Sequence, residues 1–234
     1  MSNTVTIPAR FNGPPTSGNG GYSCGVLAAF IGGAARVRLH VPPPLDTPMQ
    51  VDRDADGGIR LLHGTDLVGS AAPVTLELDV PGPPSLESAR AATADYVGHR
   101  QHTFPTCYVC GPGREAHDGL ELFTGPAGGW ELLASPWQPA ADTLDEAGQV
   151  RAEILWAALD CPGYFAVMGE HPRPAVLGEL TAELLAPVPG DAELIVYGWP
   201  LGNKGRKHWS GTAVATVGGE VLAKARATWI ELKG

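Results

Sequence analysis

The sequence predicts an α+β protein of two similar halves, in which two apolar helices are wrapped by one continuous curved antiparallel sheet. Three observations predict it. Each half opens on an apolar stretch of helical length, near residues 21–32 and 150–168. Each stretch is followed by segments where apolar and polar residues alternate with period two, the pattern of half-buried strands. The 31 Gly and 22 Pro cluster between these segments, as a chain of many turns requires. A helix that precedes an antiparallel meander must bury its apolar stripe across the concave face of its own sheet. Two such units, 1–100 and 101–234, remove one exposed edge apiece by pairing edge to edge.

In the first half, Ser17-Gly18-Asn19-Gly20-Gly21 leads into a helix from Tyr22 to about Ile31. Val37, Leu39 and Val41 then face one way and Arg36, Arg38 and His40 the other, until Pro42-Pro43-Pro44 breaks the run. Met49–Asp52 and Ile59–Leu62 read as strands joined through the turn Asp56-Gly57-Gly58. Val74–Val80 reads as the closing strand of this half. A turn-rich stretch from Pro81, a short helix from Leu86 to Val97 and the loop His102–Gly119 connect the halves. In the second half, strands are expected at Leu177–Leu185, Ala192–Trp199, Trp209–Val217 and Val221–Leu232. The repeat is faint in sequence and consistent in layout.

With 44% hydrophobic and 18% charged residues, 234 residues can bury a large core. A net charge of −9 argues against nucleic acid as a partner, because phosphate backbones require a basic surface. No run reaches the ~20 apolar residues of a membrane span. The first residues lack the basic and apolar regions of a signal peptide, so a cytoplasmic location is expected.

The stretch Glu153–Val167 carries the most chemistry. It is an apolar helix with one carboxylate, Asp160, set into it; Trp156, Ala157, Tyr164 and Val167 lie on or beside the same face. Burying an unpaired charge costs several kcal/mol (on the order of that). Either the face is half-buried or Asp160 caps a neighbouring loop, or the carboxylate does chemistry. Ser17–Gly21 has two readings as well: a flexible loop, or a helix N-terminus whose unpaired N–H groups suit an oxygen that becomes negative.

Ala158-Leu159-Asp160-Cys161-Pro162-Gly163 and Asn19-Gly20-Gly21, with Val26-Leu27-Ala28-Ala29 after it, resemble two parts of one pattern. That pattern belongs to the central helix of hotdog-fold acyl-CoA thioesterases, where a glycine turn opens the helix and a carboxylate follows eight residues after the first glycine. Eight on from Gly20 stands Ala28, and eight back from Asp160 stands Ala152. One half keeps the glycine turn, the other the acid. The resemblance implies a tandem double hotdog with one complete site. Asp160 would act as general base or nucleophile, and the Gly20-Gly21 helix N-terminus as oxyanion hole beside Asn19.

The resemblance further implies a role for Thr181, where tandem thioesterases carry Ser or Thr on the first strand after the helix; threonine is equally an ordinary strand residue. The Gln that those enzymes carry on the last strand has no counterpart in Ala225–Thr228. Coenzyme A would enter as part of the substrate, with no other cofactor, and a homodimer of such chains fits the family. Lys204, Arg206 and Lys207 form the one dense basic cluster of the sequence. They read as a solvated hairpin tip or as phosphate contacts for coenzyme A, with Trp199 and Trp209 packing nearby or stacking on adenine.

Four cysteines in this setting read as reduced thiols. Cys107-Tyr108-Val109-Cys110 invites a zinc reading, with His102 and His117 as further ligands. A single Cys-x-x-Cys without a second pair favours a packed, metal-free loop, which is the expectation here. The functions left open are an acyl-CoA thioesterase-like hydrolase and a non-catalytic acyl-CoA or acyl-chain binding protein. A hydratase ranks last, because no His lies in the Asp160 helix.

Overall fold

Strand alternation and helix packing can be followed element by element in the computed structural model, which describes residues 4–233. After a short strand β1 (Thr4–Val5), helix α1 (Gly20–Ala28) leads into β2 (Ala35–Leu39), β3 (Met49–Arg53), β4 (Ile59–His63) and β5 (Asp66–Pro73). In the second half β6 (Gly125–Pro126) and β7 (Leu133–Trp137) come before helices α3 (Ala152–Ala158) and α4 (Cys161–Met168). The meander β8 (Ala175–Leu184), β9 (Leu194–Lys204), β10 (Lys207–Thr216) and β11 (Val221–Glu231) completes it. All strands belong to one 11-stranded antiparallel sheet, ordered β1-β3-β4-β5-β2-β8-β11-β10-β9-β7-β6. The halves join at β2 and β8, where Ala35–Arg38 pair with Glu179–Ala182. The expected wrapping of two helices by one sheet is what the chain does.

β2 shows how the pattern makes the layer. Ala35 and Val37 are buried against the helices while Arg36 and Arg38 are exposed on the other side. In the second half both faces are covered. Leu194 and Val196 of β9 join the helix-side core, whereas Ile195, Tyr197 and Trp199 join a second cluster on the outer face. That outer cluster needs a cover, and the linker between the halves supplies it. Helix α2 (Leu86–Ala92) contributes buried Ala89, and Leu78 and Val80 pack beside it. The Tyr197 hydroxyl donates to the Pro81 carbonyl (3.0 Å), and Lys224 Nζ donates to the Leu76 carbonyl (3.3 Å).

This cover corrects the expected strand at Val74–Val80: β5 ends at Pro73, and the residues after it form a strap over the far half of the sheet. The alternating pattern there reflects one side packed on the outer cluster and one side in water, which an unpaired strap shares with a strand. The expected helix Leu86–Val97 is shorter too, because it passes into 3₁₀ turns after Ala92.

The two central helices meet at glycines. A Cβ on Gly21 would lie 2.5 Å from the Trp156 carbonyl oxygen and from Asp160 Cβ, and one on Gly25 would lie 2.6 Å from Glu153 Cα. Gly21 faces the C-terminal end of α3 and Gly25 its N-terminal end, so α1 and α3 run antiparallel with backbones in contact. Only glycine permits that approach.

Candidate functional site

The helix expected across residues 150–168 is interrupted. α3 stops at Ala158 and α4 begins at Cys161, with Asp160 between them at φ −86°, ψ −83°. Pro162, in the first turn of α4, lacks the N–H needed to continue α3 and is at home at a helix start. Asp160 is therefore not one residue on a helical face. The break turns its side chain toward the other half of the chain.

There it meets the start of α1. Asp160 Oδ2 accepts from the Gly21 N–H (2.8 Å) and from Asn19 Nδ2 (2.9 Å). Asn19 is at the same time the N-cap of α1, its Oδ1 accepting from the Tyr22 N–H (2.8 Å). Two opening amides of the helix are thus engaged by these side chains, and Gly20 supplies the remaining one. Asp160 is 2% exposed, and its other oxygen, Oδ1, has no hydrogen-bond partner among the described residues. Burial raises the carboxyl to about 7, opposed by the Gly21 and Asn19 hydrogen bonds. A carboxyl poised there can take up and release a proton at neutral pH.

Asn19, Gly20 and Asp160 line a cavity of about 250 Å³. Its walls come from the β2 end (Leu39–Pro43), the β8 start (Ala175–Gly178), Tyr164 of α4 and Trp229 of β11. A bulge shapes the β8 wall: Glu179 pairs with Thr228 and Leu177 with Trp229, leaving Gly178 extra. The bulge lets Leu177 face inward beside Gly20 although Leu180 and Ala182 also face inward.

The same register moves Thr181 away from the site. Thr181 sits between buried Leu180 and Ala182, opposite exposed Arg36 and Arg226, and does not line the cavity. Strand parity, unreadable without the bulge, decides this. Lys204, Arg206 and Lys207 form the exposed β9–β10 turn, outside the cavity lining. Arg206 donates to the Glu231 carbonyl (3.0 Å), and Lys207 pairs with Ile230, which does line the cavity. The cluster thus borders the β11 wall. Trp199 is buried in the outer cluster beside Tyr197, and Trp209 is half-buried on β10.

The sequence reading missed a grouping. Cys161, the first residue of α4, brings its sulfur to 3.7 Å from Cys107, and Cys110 stands in the same group. All three line the cavity, as does His102, whose Nε2 is 3.4 Å from Cys110 Sγ. His117, the other candidate ligand, is exposed and faces Glu121. No local signal marks the grouping, because Cys161 is 54 residues from Cys107.

No protein-family model and no curated protein matches this sequence. Solved structures do match in shape. A candidate thioesterase from Novosphingobium aromaticivorans superposes with a TM-score of 0.64 at 11% identity, over 99% of this chain and 95% of that one. The TesB protein of Mycobacterium avium subspecies paratuberculosis gives 0.63 at 11% identity, over 98% and 92%. A candidate thioesterase II from Thermobifida fusca gives 0.62 at 14% identity, over 100% and 94%. The fold is a double hotdog. Within this double hotdog, the Asp160–Gly21 contact crosses from one unit to the other.

Proposed function

We propose that this double hotdog is an acyl-CoA thioesterase-like hydrolase in which Asp160 activates water and the start of α1 stabilises the oxyanion. The observation that carries the reading is Asp160 itself. One carboxylate oxygen is fixed by Gly21 and Asn19, and the other is buried without a partner at a cavity. An orphaned buried acceptor costs about 1–3 kcal/mol, a cost a merely structural cap would not need.

In this reading the thioester carbonyl sits at the cavity end of α1. The Gly20 N–H is its donor, since the Gly21 N–H is held by Asp160. The helix dipole favours the negative oxygen. Water beside Asp160 Oδ1 gives its proton to the carboxylate as its oxygen attacks the carbonyl carbon. Collapse of the tetrahedral intermediate breaks the C–S bond, and the Asp160 proton passes to the departing thiolate. Products are a carboxylic acid and free coenzyme A. A panel of acyl-CoA esters, followed by free thiol release, tests this; no turnover above the spontaneous rate on any chain length overturns it.

A second reading has its own support. The two hydrogen bonds that Asp160 Oδ2 accepts from Asn19 and Gly21 are also what a cap for α1 looks like, which favours a non-catalytic acyl-CoA or acyl-chain binding protein. Binding of acyl-CoA without turnover separates the two.

Coenzyme A phosphates fit the Lys204, Arg206 and Lys207 turn, the basic cluster that borders the β11 wall. Replacing all three with Ala should weaken coenzyme A binding and flatten its dependence on salt, because screening acts on exposed charges. Titration calorimetry at two ionic strengths measures both; unchanged affinity at low salt removes these residues from the binding surface.

A further inference from the structure

The geometry points to a zinc site formed by the Cys107, Cys110 and Cys161 thiolates, with its fourth coordination position open to the cavity beside Asp160. Tetrahedral zinc at about 2.3 Å from each sulfur sets neighbouring sulfurs about 3.8 Å apart. Cys107 and Cys161 stand at 3.7 Å, and all three sulfurs lie within 4.8 Å of one another. They come from two distant segments, which the fold has to bring together.

The turn that carries two of them is built rigidly. The Cys107 carbonyl accepts the Gly111 N–H (2.9 Å), and a Cβ on Gly111 would fall 2.5 Å from Cys107 N and from the Pro105 carbonyl oxygen. Arg114 locks the turn to the N-terminal segment. It donates to the carbonyls of Thr106 (2.8 Å), Arg10 (3.1 Å) and Asp118 (3.2 Å), to Asn12 Oδ1 (2.8 Å) and to the Asp118 carboxylate (2.6 Å). The third sulfur, Cys161, is on the first residue of α4.

Polar N–H groups converge on these sulfurs. Asn19 Nδ2 stands 3.8 Å from Cys107 Sγ and 3.9 Å from Cys161 Sγ. His102 Nδ1 accepts the Phe104 N–H (3.0 Å), which leaves its Nε2 as the protonated nitrogen, 3.4 Å from Cys110 Sγ. His102 therefore donates to the cluster rather than ligating. Donors of this kind are what support metal-bound thiolates from the outer shell. Ionising all three thiols in one buried group is costly unless a cation accompanies them, and a divalent ion supplies that charge. Sulfur ligands select zinc among the common divalent ions of oxygen sites such as magnesium and calcium. Binding forms three Zn–S bonds and releases the three thiol protons to solvent. Three protein ligands and an open position make a site of the catalytic rather than the closed structural kind. Water or a ligand atom from the cavity takes that position.

The test is metal content and a cobalt spectrum. Full-length protein purified under reductant without chelator should carry about one zinc per chain by mass spectrometry of the elements. After chelation, cobalt(II) added to the reduced protein should give sulfur-to-cobalt charge-transfer absorption saturating at one equivalent. In Cys161→Ser that absorption should fall by about a third, two of three thiolates remaining. Cys24→Ala, a change at the buried α1 cysteine outside the group, should leave it unchanged. If Cys161→Ser does not fold, Cys110→Ser and the wild-type titration decide the question. Absence of the charge-transfer band in reduced wild-type protein overturns the site. So does a band untouched by the Cys161 or Cys110 change, or a disulfide joining any two of the three cysteines in the protein as purified.

Discussion

Asp160→Asn should lower acyl-CoA hydrolysis by about 10²–10⁴-fold, the range of a removed general base. The substitution keeps the size of the side chain. Its amide oxygen can still accept from Gly21 N–H, so α1 keeps its cap and the fold survives. What is lost is a carboxylate oxygen, Oδ1, which lies buried without a partner in the native protein and takes the proton from water in the proposed mechanism. Binding of acyl-CoA should persist, because most of the cavity lining comes from other residues and Asn keeps the size of Asp160. Thiol-release kinetics beside titration calorimetry separate the two effects. Thr181→Ala serves as the control: its position among exposed Arg36 and Arg226 predicts unchanged turnover. Near-normal turnover in Asp160→Asn would leave Asp160 as a cap and favour the binding-protein reading.

Much of this arrangement is legible in the sequence because its signals are local. Period-two alternation locates β8–β11 and β2, and a glycine turn before apolar residues marks the start of α1. The pairing of Asp160 with Gly20-Gly21 follows from complementation between halves, and the Gly21 N–H contact at 2.8 Å realises it. What stays hidden depends on neighbours distant in the chain. The bulge at Gly178 decides which way Thr181 points, and nothing within the strand announces it. Val74–Val80 alternates like a strand, yet after the Val74 N–H bond to the Ala34 carbonyl (3.2 Å) it leaves the sheet and serves as a strap over Tyr197 and its neighbours. The break at Leu159-Asp160 could have been read from Pro162, since proline removes a helical N–H and clashes with the preceding turn. The meeting of Cys161 with Cys107 and Cys110 had no local signature at all, because the Cys-x-x-Cys turn and the start of α4 converge only in the folded chain.

Gly21→Ala should destabilise the contact between the two central helices. Its Cβ would lie 2.5 Å from the Trp156 carbonyl oxygen, 2.5 Å from Asp160 Cβ and 3.0 Å from Ala157 Cα. Two of those three atoms belong to backbone, which cannot rotate away as a flexible side chain can. The helices must separate, and overpacking of this kind costs about 1–3 kcal/mol, occasionally more. The gain in helix propensity from Gly to Ala, about 1 kcal/mol, offsets only part of it. Chemical denaturation should show a lower midpoint with an unchanged slope, the signature of lost stability without a changed unfolded state. Gly25→Ala, one turn along the same contact, should destabilise by a similar amount, because its Cβ meets Glu153 Cα at 2.6 Å. The two differ in function. Gly25 lies away from Asp160, whereas displacing Gly21 pulls the α1 amides from it. Hydrolysis measured on the folded fraction should therefore collapse in Gly21→Ala and largely survive in Gly25→Ala. Gly82→Ala, with open space around its Cβ, should stay within about 0.5 kcal/mol of wild type. Equal losses of activity in the two helix variants would detach the α1 N-terminus from the reaction and leave the glycines as packing residues only.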